Sequence, residues 1–209
     1  MYVYNKFVMG NTTARNKHQL RTQATRQSLI DSARRIFARD GFESSRIEDI
    51  AADSGRTRGA FYAHFRTKED LFFALLEQEA ERRVVQIRGA MANCRTLEER
   101  RAAWRAFFQS RMTDRQWAML MLEFKLFAVR HPEQRAGLAA THRRIRASLR
   151  IEEIGEFGEL QKAALEAVLA GFTLEYSYDP VRLPKRSAAE MLGKLFDALV
   201  GSGSRTSLK

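Results

Sequence analysis

The chain has 209 residues, of which 44% are hydrophobic and 29% are charged, and its formal net charge is +11. These values are ordinary for a globular protein, and they exclude a disordered or collagen-like chain. With 12 glycines, 3 prolines and a single cysteine, the composition favours an all-α fold and excludes an internal disulfide framework.

The first twenty residues are predicted to form a flexible basic arm, because residues 1–20 are polar and show no periodicity after the first few positions. The first 30 residues contain five lysines and arginines and no acidic residue, and residues 1–66 hold 12 basic and 6 acidic side chains. A basic excess at one end of a chain is typical of contact with a polyanion. A solvated basic tail with no partner is the alternative interpretation.

Three helices are predicted between residues 21 and 65. The first carries apolar residues at three- and four-residue steps until Gly41 ends it. Ser45 is expected to cap a short second helix. Gly55 breaks the chain again, and Thr57 caps a third short helix that runs through Phe65. Together these elements form a helix-turn-helix arrangement.

The third helix is predicted to read DNA. At about 100° of rotation per residue, Phe61 and Phe65 share one face and point toward a core. The opposite face carries the small residues Gly59, Ala60 and Ala63. Tyr62 and His64 lie at its edges, and Thr57 and Arg58 lie at the N-terminal tip of the helix. Such a face enters a major groove, where the N-terminal residues of the helix meet base edges. The alternative is a short structural helix whose small residues serve only close packing.

Six longer helices are predicted after residue 66, which brings the total to about nine. Their starts are marked by capping boxes or by a proline in the first turn. These markers are Thr67 with Asp70, Thr96 with Glu99, Thr113 with Gln116, Pro132, and Ser187 with Glu190. The helix over residues 113–130 is apolar nearly all round, which predicts a helix buried on several sides.

An apolar pocket is predicted in the second half of the chain, because ligand sites are lined mainly by apolar side chains with few polar groups. The candidate residues are Trp104, Phe107, Phe108, Trp117, Met121, Phe124 and Glu123. The aromatic side chains are also compatible with plain core. Glu123 either faces a cavity and selects a cationic or hydroxylated ligand or, as the favoured interpretation, reaches the surface or pairs with Arg105 or Arg111. His142 lies among arginines and is expected to be solvated.

The last two helices each carry one apolar stripe at helical spacing. The stripes consist of Leu165, Val168, Leu169, Phe172 and Tyr176 on one helix, and of Leu192, Leu195, Phe196 and Leu199 on the other. Packing within one chain explains these stripes as well as an interface between two copies does.

The segment around the third helix strongly resembles the TetR family of transcriptional regulators. The resemblance rests on GF at 41–42, IEDIA at 47–51, GRTRGAFYAHF at 55–65 and TKEDL at 67–71, within about residues 23–83. It implies a DNA-binding domain over 21–83 with the helix-turn-helix at 46–65, a helical ligand-binding and dimerisation domain over 84–200, and a mobile tail over 201–209. It also implies that the two apolar stripes pair with those of a second copy as a four-helix bundle.

Position by position, the resemblance implies the following DNA contacts: base contacts from Thr57, Arg58, Gly59 and Ala60, and phosphate contacts from Tyr62, His64 and Lys68. Arg46 begins the helix-turn-helix and is included in this surface. Glu48 either accepts a hydrogen bond from a cytosine amine or is an exposed helix charge. Arg56 stands where the family usually has a buried apolar residue, and its long side chain is expected to turn outward.

The expected function is that of a repressor that binds a palindromic double-stranded DNA operator as a homodimer and is released by an apolar or amphipathic small molecule. The alternative is a constitutive or nucleoid-type DNA binder without a ligand. The sequence shows no paired carboxylates, nucleophile triad, phosphate-binding glycine loop or metal cluster, so we expect no enzyme activity, cofactor or metal. No apolar run approaches the ~20 residues of a membrane span, and we expect a cytoplasmic protein without a membrane partner.

Overall fold

The computed structural model describes the backbone of residues 6–148, 154 and 158–201, and the side chains of residues 17–148, 154 and 158–200. Every regular element in these ranges is helical, which confirms the all-α prediction. The α-helices are α1 Lys6–Asp40, α2 Ile47–Asp53, α3 Arg58–Tyr62, α4 Lys68–Met91, α5 Leu97–Ser110, α6 Arg115–Arg130, α7 Pro132–Ala147, α8 Glu159–Tyr178 and α9 Lys185–Gly201. A 3-10 turn at Arg111–Thr113 precedes α6. The chain divides into two compact units between Leu75 and Leu76, within the continuous helix α4.

Two features near the N-terminus differ from the sequence predictions. Helix α1 begins at Lys6, so the predicted arm over 1–20 is helical from that residue onward, because Gly10 is the only helix breaker before Gly41. Residues 1–5 of the arm and residues 202–209 of the predicted tail lie outside the described residues. Ser45 does not cap α2: it is buried, and its hydroxyl donates to the carbonyl of Phe42 at 2.8 Å.

The remaining helix starts follow the predicted signals with two exceptions. Thr96 forms the expected capping box of α5. Helix α6 is capped by Asp114 instead of Thr113, because the Asp114 carboxylate accepts from a free backbone N–H of the first turn. Helix α9 begins at Lys185, so Ser187 lies inside its first turn.

An aromatic cluster forms the core of the first unit. Phe37 of α1, Phe42 of the following turn and Phe72 of α4 are fully buried. Their ring centroids are 5.2 Å apart for Phe37 and Phe42, 5.9 Å for Phe37 and Phe72, and 5.2 Å for Phe42 and Phe72. Each such pair contributes roughly 0.5–1.5 kcal/mol beyond the area it buries. The cluster holds α1 and the start of α4 together.

Helix α2 is fastened to α1 by a buried polar contact. The hydroxyl of Ser32 lies 2.9 Å from the carbonyl oxygen of Ile50 and 2.7 Å from Oδ2 of Asp53. Arg35 also pairs with Asp53, at 2.6 Å. These hydrogen bonds from Ser32 and Arg35 lower the pKa of Asp53 below its usual value, so the carboxylate stays charged and holds the helix-turn-helix against α1.

The core of the second unit is formed mainly by α5, α8 and α9. Its fully or nearly fully buried members are Ile87, Trp104, Phe108, Met112, Ile154, Leu165, Ala188, Leu192, Phe196 and Val200. Helices α5 and α9 approach closely at Gly193, where an added Cβ would lie 2.6 Å from Nε2 of Gln109. That amide donates to the carbonyl of Ala189 at 2.6 Å, so the approach is fixed by a hydrogen bond as well as by apolar packing.

Helix α6 is buried along one stripe only, and it packs against α7 and α8. Leu120, Phe124 and Phe127 form the buried stripe, whereas Leu126 and Val129 are exposed. The prediction of a helix buried on several sides is wrong for the single chain, because the second half of α6 exposes large apolar side chains at Leu126 and Val129.

Candidate functional site

The turn between α2 and α3 keeps its tight geometry despite the unusual arginine at position 56. Gly55 has a φ of 66°, a conformation that glycine adopts without steric cost. The backbone N–H of Arg56 donates to the carbonyl of Ala51 at 2.8 Å. The Arg56 side chain is exposed and its Nε lies 3.3 Å from the hydroxyl of Ser28, so it turns outward as predicted.

Helix α3 is anchored on one side and exposed on the other. Phe61 is fully buried and Phe65 nearly so, and the Thr57 side chain accepts a hydrogen bond from the backbone N–H of Ala60 at 3.1 Å, which confirms its predicted cap. On the other side, Thr57, Arg58, Gly59, Tyr62 and Ala63 are all exposed. The structure thus brings the predicted base-contacting residues together at the N-terminal tip of α3.

Arg58 at this tip is held by two neighbours. One of its terminal nitrogens lies 3.1 Å from Oε1 of Glu48, and its guanidinium carbon lies 5.5 Å from the ring centroid of Tyr62. Hydrogen bonding to Tyr62, followed by the charge of Glu48, raises the pKa of Arg58. Glu48 is therefore an exposed partner of Arg58, and the base contact predicted for Arg58 would compete with this ion pair.

The flanks of the surface differ in charge. Arg46 is exposed just before α2. His64 is half-buried, and its pKa is lowered from 6.5 by burial and then by the nearby charge of Arg26. The neutral form of His64 is therefore favoured, and the phosphate contact predicted for this residue would come from a neutral N–H.

Lys68 has a structural role that the sequence did not indicate. Its Nζ donates to the carbonyls of Glu43 and Ser45, both at 2.9 Å, and lies 4.9 Å from the ring centroid of Phe42. Burial lowers the pKa of the Lys68 ammonium. These contacts tie the start of α4 to the turn before α2, and the predicted phosphate contact competes with them for the N–H groups of Lys68.

A cavity of about 210 Å³ lies within the second unit. Its apolar lining includes five of the predicted pocket residues, Trp104, Phe107, Phe108, Trp117 and Met121. Phe124 and Glu123 do not line it. The predicted placement of these two is wrong, because Phe124 belongs to the buried stripe of α6 and Glu123 lies next to it on the same helix.

The charged groups at this cavity, and the carboxylate of Glu79 that pairs with two of them, were missed by sequence reasoning. Glu79 of α4 is fully buried and pairs with Arg83 at 3.3 Å and with Arg111 at 3.5 Å. Arg146 pairs with Glu166, and burial raises the pKa of Glu166. Glu79 and Arg83 are four residues apart on α4, but no sequence pattern joins this pair to Arg111, Arg146 or Glu166, which lie on other segments of the chain.

His142 lines this cavity as well and is not solvated as predicted. Burial, followed by the charges of Arg146 and Lys125, lowers its pKa from 6.5 to about 4. The imidazole is therefore neutral at physiological pH.

The residues predicted for the Glu123 ion pair have other partners. Arg105 pairs with Asp197 at 2.7 Å. Arg111 pairs with Glu79 and Asp114.

Part of each apolar stripe of α8 and α9 packs into the core of the second unit itself. Leu165, Leu192 and Phe196 are buried in it, so the structure contradicts their placement on an exposed interface. Val168, Leu169, Phe172 and Leu199 are only partly buried against that core, and Leu195 is half-buried. Leu174 and Met191, which the sequence did not single out, are exposed on the same two helices.

No helix among the described residues is long and apolar enough to cross a membrane. No group of three or more His, Cys, Asp or Glu side chains among them is placed to hold a metal ion.

Comparison with known proteins matches the first unit to DNA-binding regulators. Residues 29–75 match the family of bacterial regulatory proteins, tetR family. Over 59 residues, the chain is 41% identical to the HTH-type transcriptional repressor Rv1474c of Mycobacterium tuberculosis, covering 28% of this chain and 32% of that protein. Over 61 residues, it is 43% identical to the HTH-type transcriptional regulator AcrR of Shigella flexneri, covering 29% of this chain and 28% of that protein. The chain spans about a third of the length of these curated relatives.

Solved structures resemble the chain over most of its length. A member of the TetR family (SCO1917) from Streptomyces coelicolor is 27% identical, with a TM-score of 0.59 over 82% of this chain and 97% of that one. The transcriptional regulator FadR from Bacillus subtilis, solved in complex with stearoyl-CoA, is 17% identical, with a TM-score of 0.59 over 83% of this chain and 97% of that one. The likeness to FadR concerns the fold alone.

Proposed function

We propose that this chain, whose residues 29–75 match the tetR family of bacterial regulatory proteins, is a sequence-specific DNA-binding repressor of transcription. It acts as a homodimer on a palindromic operator. It leaves the operator when a small apolar or amphipathic molecule fills the cavity of the second unit.

The observation that carries this proposal is the exposed tip of α3. Thr57, Arg58 and Gly59 are exposed there, while Phe61 anchors the other side of the helix in the core. A rigidly anchored helix with small side chains and an arginine at its N-terminus fits a major groove, where arginine donates to guanine bidentately.

Release by a ligand follows from the position of the cavity. Leu76, Ala80 and Arg83 of α4 line it, and the same helix begins at Lys68 in the first unit. A molecule that binds one arrangement of α4 better than another shifts the population toward that arrangement. The favoured arrangement is one in which two DNA-reading heads no longer match successive major grooves.

The homodimer is proposed to form through the outward sides of α8 and α9. Leu174 and Met191 are exposed there, beside partly buried residues such as Phe172 and Leu199. A two-fold symmetric dimer matches a palindromic site, because the spacing of half-sites mirrors the symmetry of the protein.

The test begins with selection of bound duplexes from a random DNA pool, followed by fluorescence anisotropy on the selected and a scrambled duplex. A preference of about 10³-fold or more for the selected duplex, maintained between ~50 and ~200 mM salt, supports a specific regulator. Equal affinity for both duplexes, lost together as salt rises, contradicts specific readout and favours the nucleoid-type alternative.

A further inference from the structure

The cavity of the second unit combines an apolar lining with a buried cluster of arginines. Trp104, Phe108, Trp117 and Met121 supply apolar surface. Six basic side chains but only three acidic ones line the same cavity. An apolar cavity with an unequal charge distribution selects its ligand by charge as well as by shape.

Arg83 is a basic residue of this cavity whose buried donors are not all used. Its side chain is 14% exposed, and its guanidinium carbon lies 4.2 Å from the ring centroid of Trp117. Its Nε and one terminal nitrogen are buried and have no hydrogen-bond partner among the described residues. Buried donors are normally paired, but Nη2 of Arg83 has no acceptor among the described residues, and Nε has only its 3.3 Å ion pair with Glu79.

The carboxylate next to Arg83 is shared with other arginines. Oε1 of Glu79 lies 3.3 Å from Nε of Arg83, but it also pairs with Arg82 at 2.5 Å and with Arg111 at 3.5 Å. Counting Asp114, which pairs with Arg111, three guanidinium groups face two carboxylates. Arg83 stays protonated at neutral pH because its pKa, although lowered by burial, is about 10.

A second unpartnered donor lies at the same cavity. Nε1 of Trp104 is buried and makes no hydrogen bond among the described residues, and Trp104 lines the cavity together with Arg83. Both groups are donors only. A ligand that satisfies them must bring acceptor oxygens, and a cation would meet the surplus of basic over acidic side chains.

We propose that this cavity binds an amphipathic monoanion, a carboxylate carried on an apolar body, and that Arg83 takes the carboxylate. A negatively charged head matches the surplus of basic over acidic side chains at the cavity, and the planar guanidinium matches a carboxylate in geometry. A neutral ligand leaves the donors unpaired. The proposal rests on the proposed function, since it names the class of molecule that releases the DNA.

Decanoate is the probe, and its affinity is compared with those of 1-decanol and decyltrimethylammonium. These two compounds carry an alkyl chain of nearly the same length, with a neutral head group and a cationic head group respectively. Both tryptophans of the chain, Trp104 and Trp117, line the cavity, so intrinsic fluorescence reports its occupation, and calorimetry gives the affinities. Decanoate is expected to bind about tenfold or more tightly than 1-decanol, because the charged head adds a charge-assisted hydrogen bond. The carboxylate 1-naphthoate, with 1-naphthalenemethanol as its neutral partner, tests an aromatic body in the same way.

Two variants assign the carboxylate to Arg83. Arg83→Gln is expected to weaken decanoate binding about tenfold and to leave 1-decanol nearly unchanged. Arg82→Gln is the matched control, because Arg82 lies on the same helix and also pairs with Glu79 but does not line the cavity. If circular dichroism shows that Arg83→Gln does not fold, Arg83→Lys replaces it, because lysine keeps the positive charge but loses the bidentate geometry of the guanidinium.

The proposal is overturned by any of three results: equal binding of acids and alcohols, tightest binding of the cation, or no saturable binding of either carboxylate. The proposed function fails separately, in the DNA assay. If decanoate binds but leaves operator affinity unchanged, the ligand class stands and its regulatory role falls. If the protein reads no DNA sequence, the repressor function falls and the cavity result stands.

Discussion

Replacing Glu79 with glutamine removes a fully buried carboxylate that pairs with Arg82, Arg83 and Arg111. At an effective dielectric constant near 20, each pair at 3.3 to 3.5 Å has a gross attraction of about 5 kcal/mol. Most of this is offset by desolvation, and breaking a buried pair costs about 3–5 kcal/mol. Because the glutamine carbonyl still accepts a hydrogen bond, we expect the free energy of unfolding to fall by about 3 kcal/mol.

Urea unfolding followed by tryptophan fluorescence measures this change, since Trp104 and Trp117 both belong to the second unit. Glu77→Gln is the matched control on the same helix. Glu77 is half exposed and lies 3.7 Å from the exposed Arg144, so its loss should cost at most about 0.5 kcal/mol.

A loss below about 1 kcal/mol for Glu79→Gln would refute the assignment of a buried, compensating carboxylate. Equal losses for the two variants would refute it as well. Adding Arg83→Met to Glu79→Gln should restore part of the stability, because it removes a buried charge that has lost its partner.

Three further predictions concern the first unit and the pH response. Arg58→Ala should reduce the preference for the operator over scrambled DNA by about 1–3 kcal/mol. Arg186→Ala, on the exposed side of α9, is the control and should leave this preference unchanged. Equal effects of the two substitutions in fluorescence anisotropy would show that Arg58 does not contact a base. Lys68→Met should destabilise the first unit by about 1–3 kcal/mol, seen as faster amide hydrogen exchange in α2; unchanged protection would show that its bonds to the turn carry no stability. The pKa of His142 is lowered to about 4 in the folded chain, whereas the same side chain takes up its proton near pH 6.5 in the unfolded chain. The stability that the neutral, buried His142 side chain gives the folded state is therefore fully present above pH 6.5 and is lost as the pH falls toward 4. His142→Asn should therefore reduce the loss of stability between pH 7.5 and 4.5 by about 2 kcal/mol, and an unchanged pH profile would contradict the burial of this side chain.

The helix-turn-helix was predictable because its signals are local. Gly41 and Gly55 take positive φ values in the turns where they were expected to end helices. Thr57 caps α3 through a neighbour three residues away, and Phe61 and Phe65 follow from helical periodicity alone. These features depend on residues within one or two turns of each other, and the same contiguous segment carries the family resemblance.

The second unit was predictable only in outline. The periodicity of its helices and several caps were apparent, and five aromatic or methionine positions were expected to line a cavity that the structure contains. The burial of Leu192 and Phe196 in the core of their own chain was not predictable, because an apolar stripe does not indicate whether its own chain or a second copy covers it.

The all-helical class and the residues presented at the tip of α3 could be read from the amino-acid sequence, since both follow from spacing along single helices. The electrostatics of the charged groups depend instead on how the helices pack together. The Glu79 cluster joins residues 32 apart in the chain, the ammonium of Lys68 finds carbonyls 23 and 25 residues away, and His142 loses its charge through burial. Desolvation and pairing depend on which helices meet, and that choice is made by the packing of the whole unit.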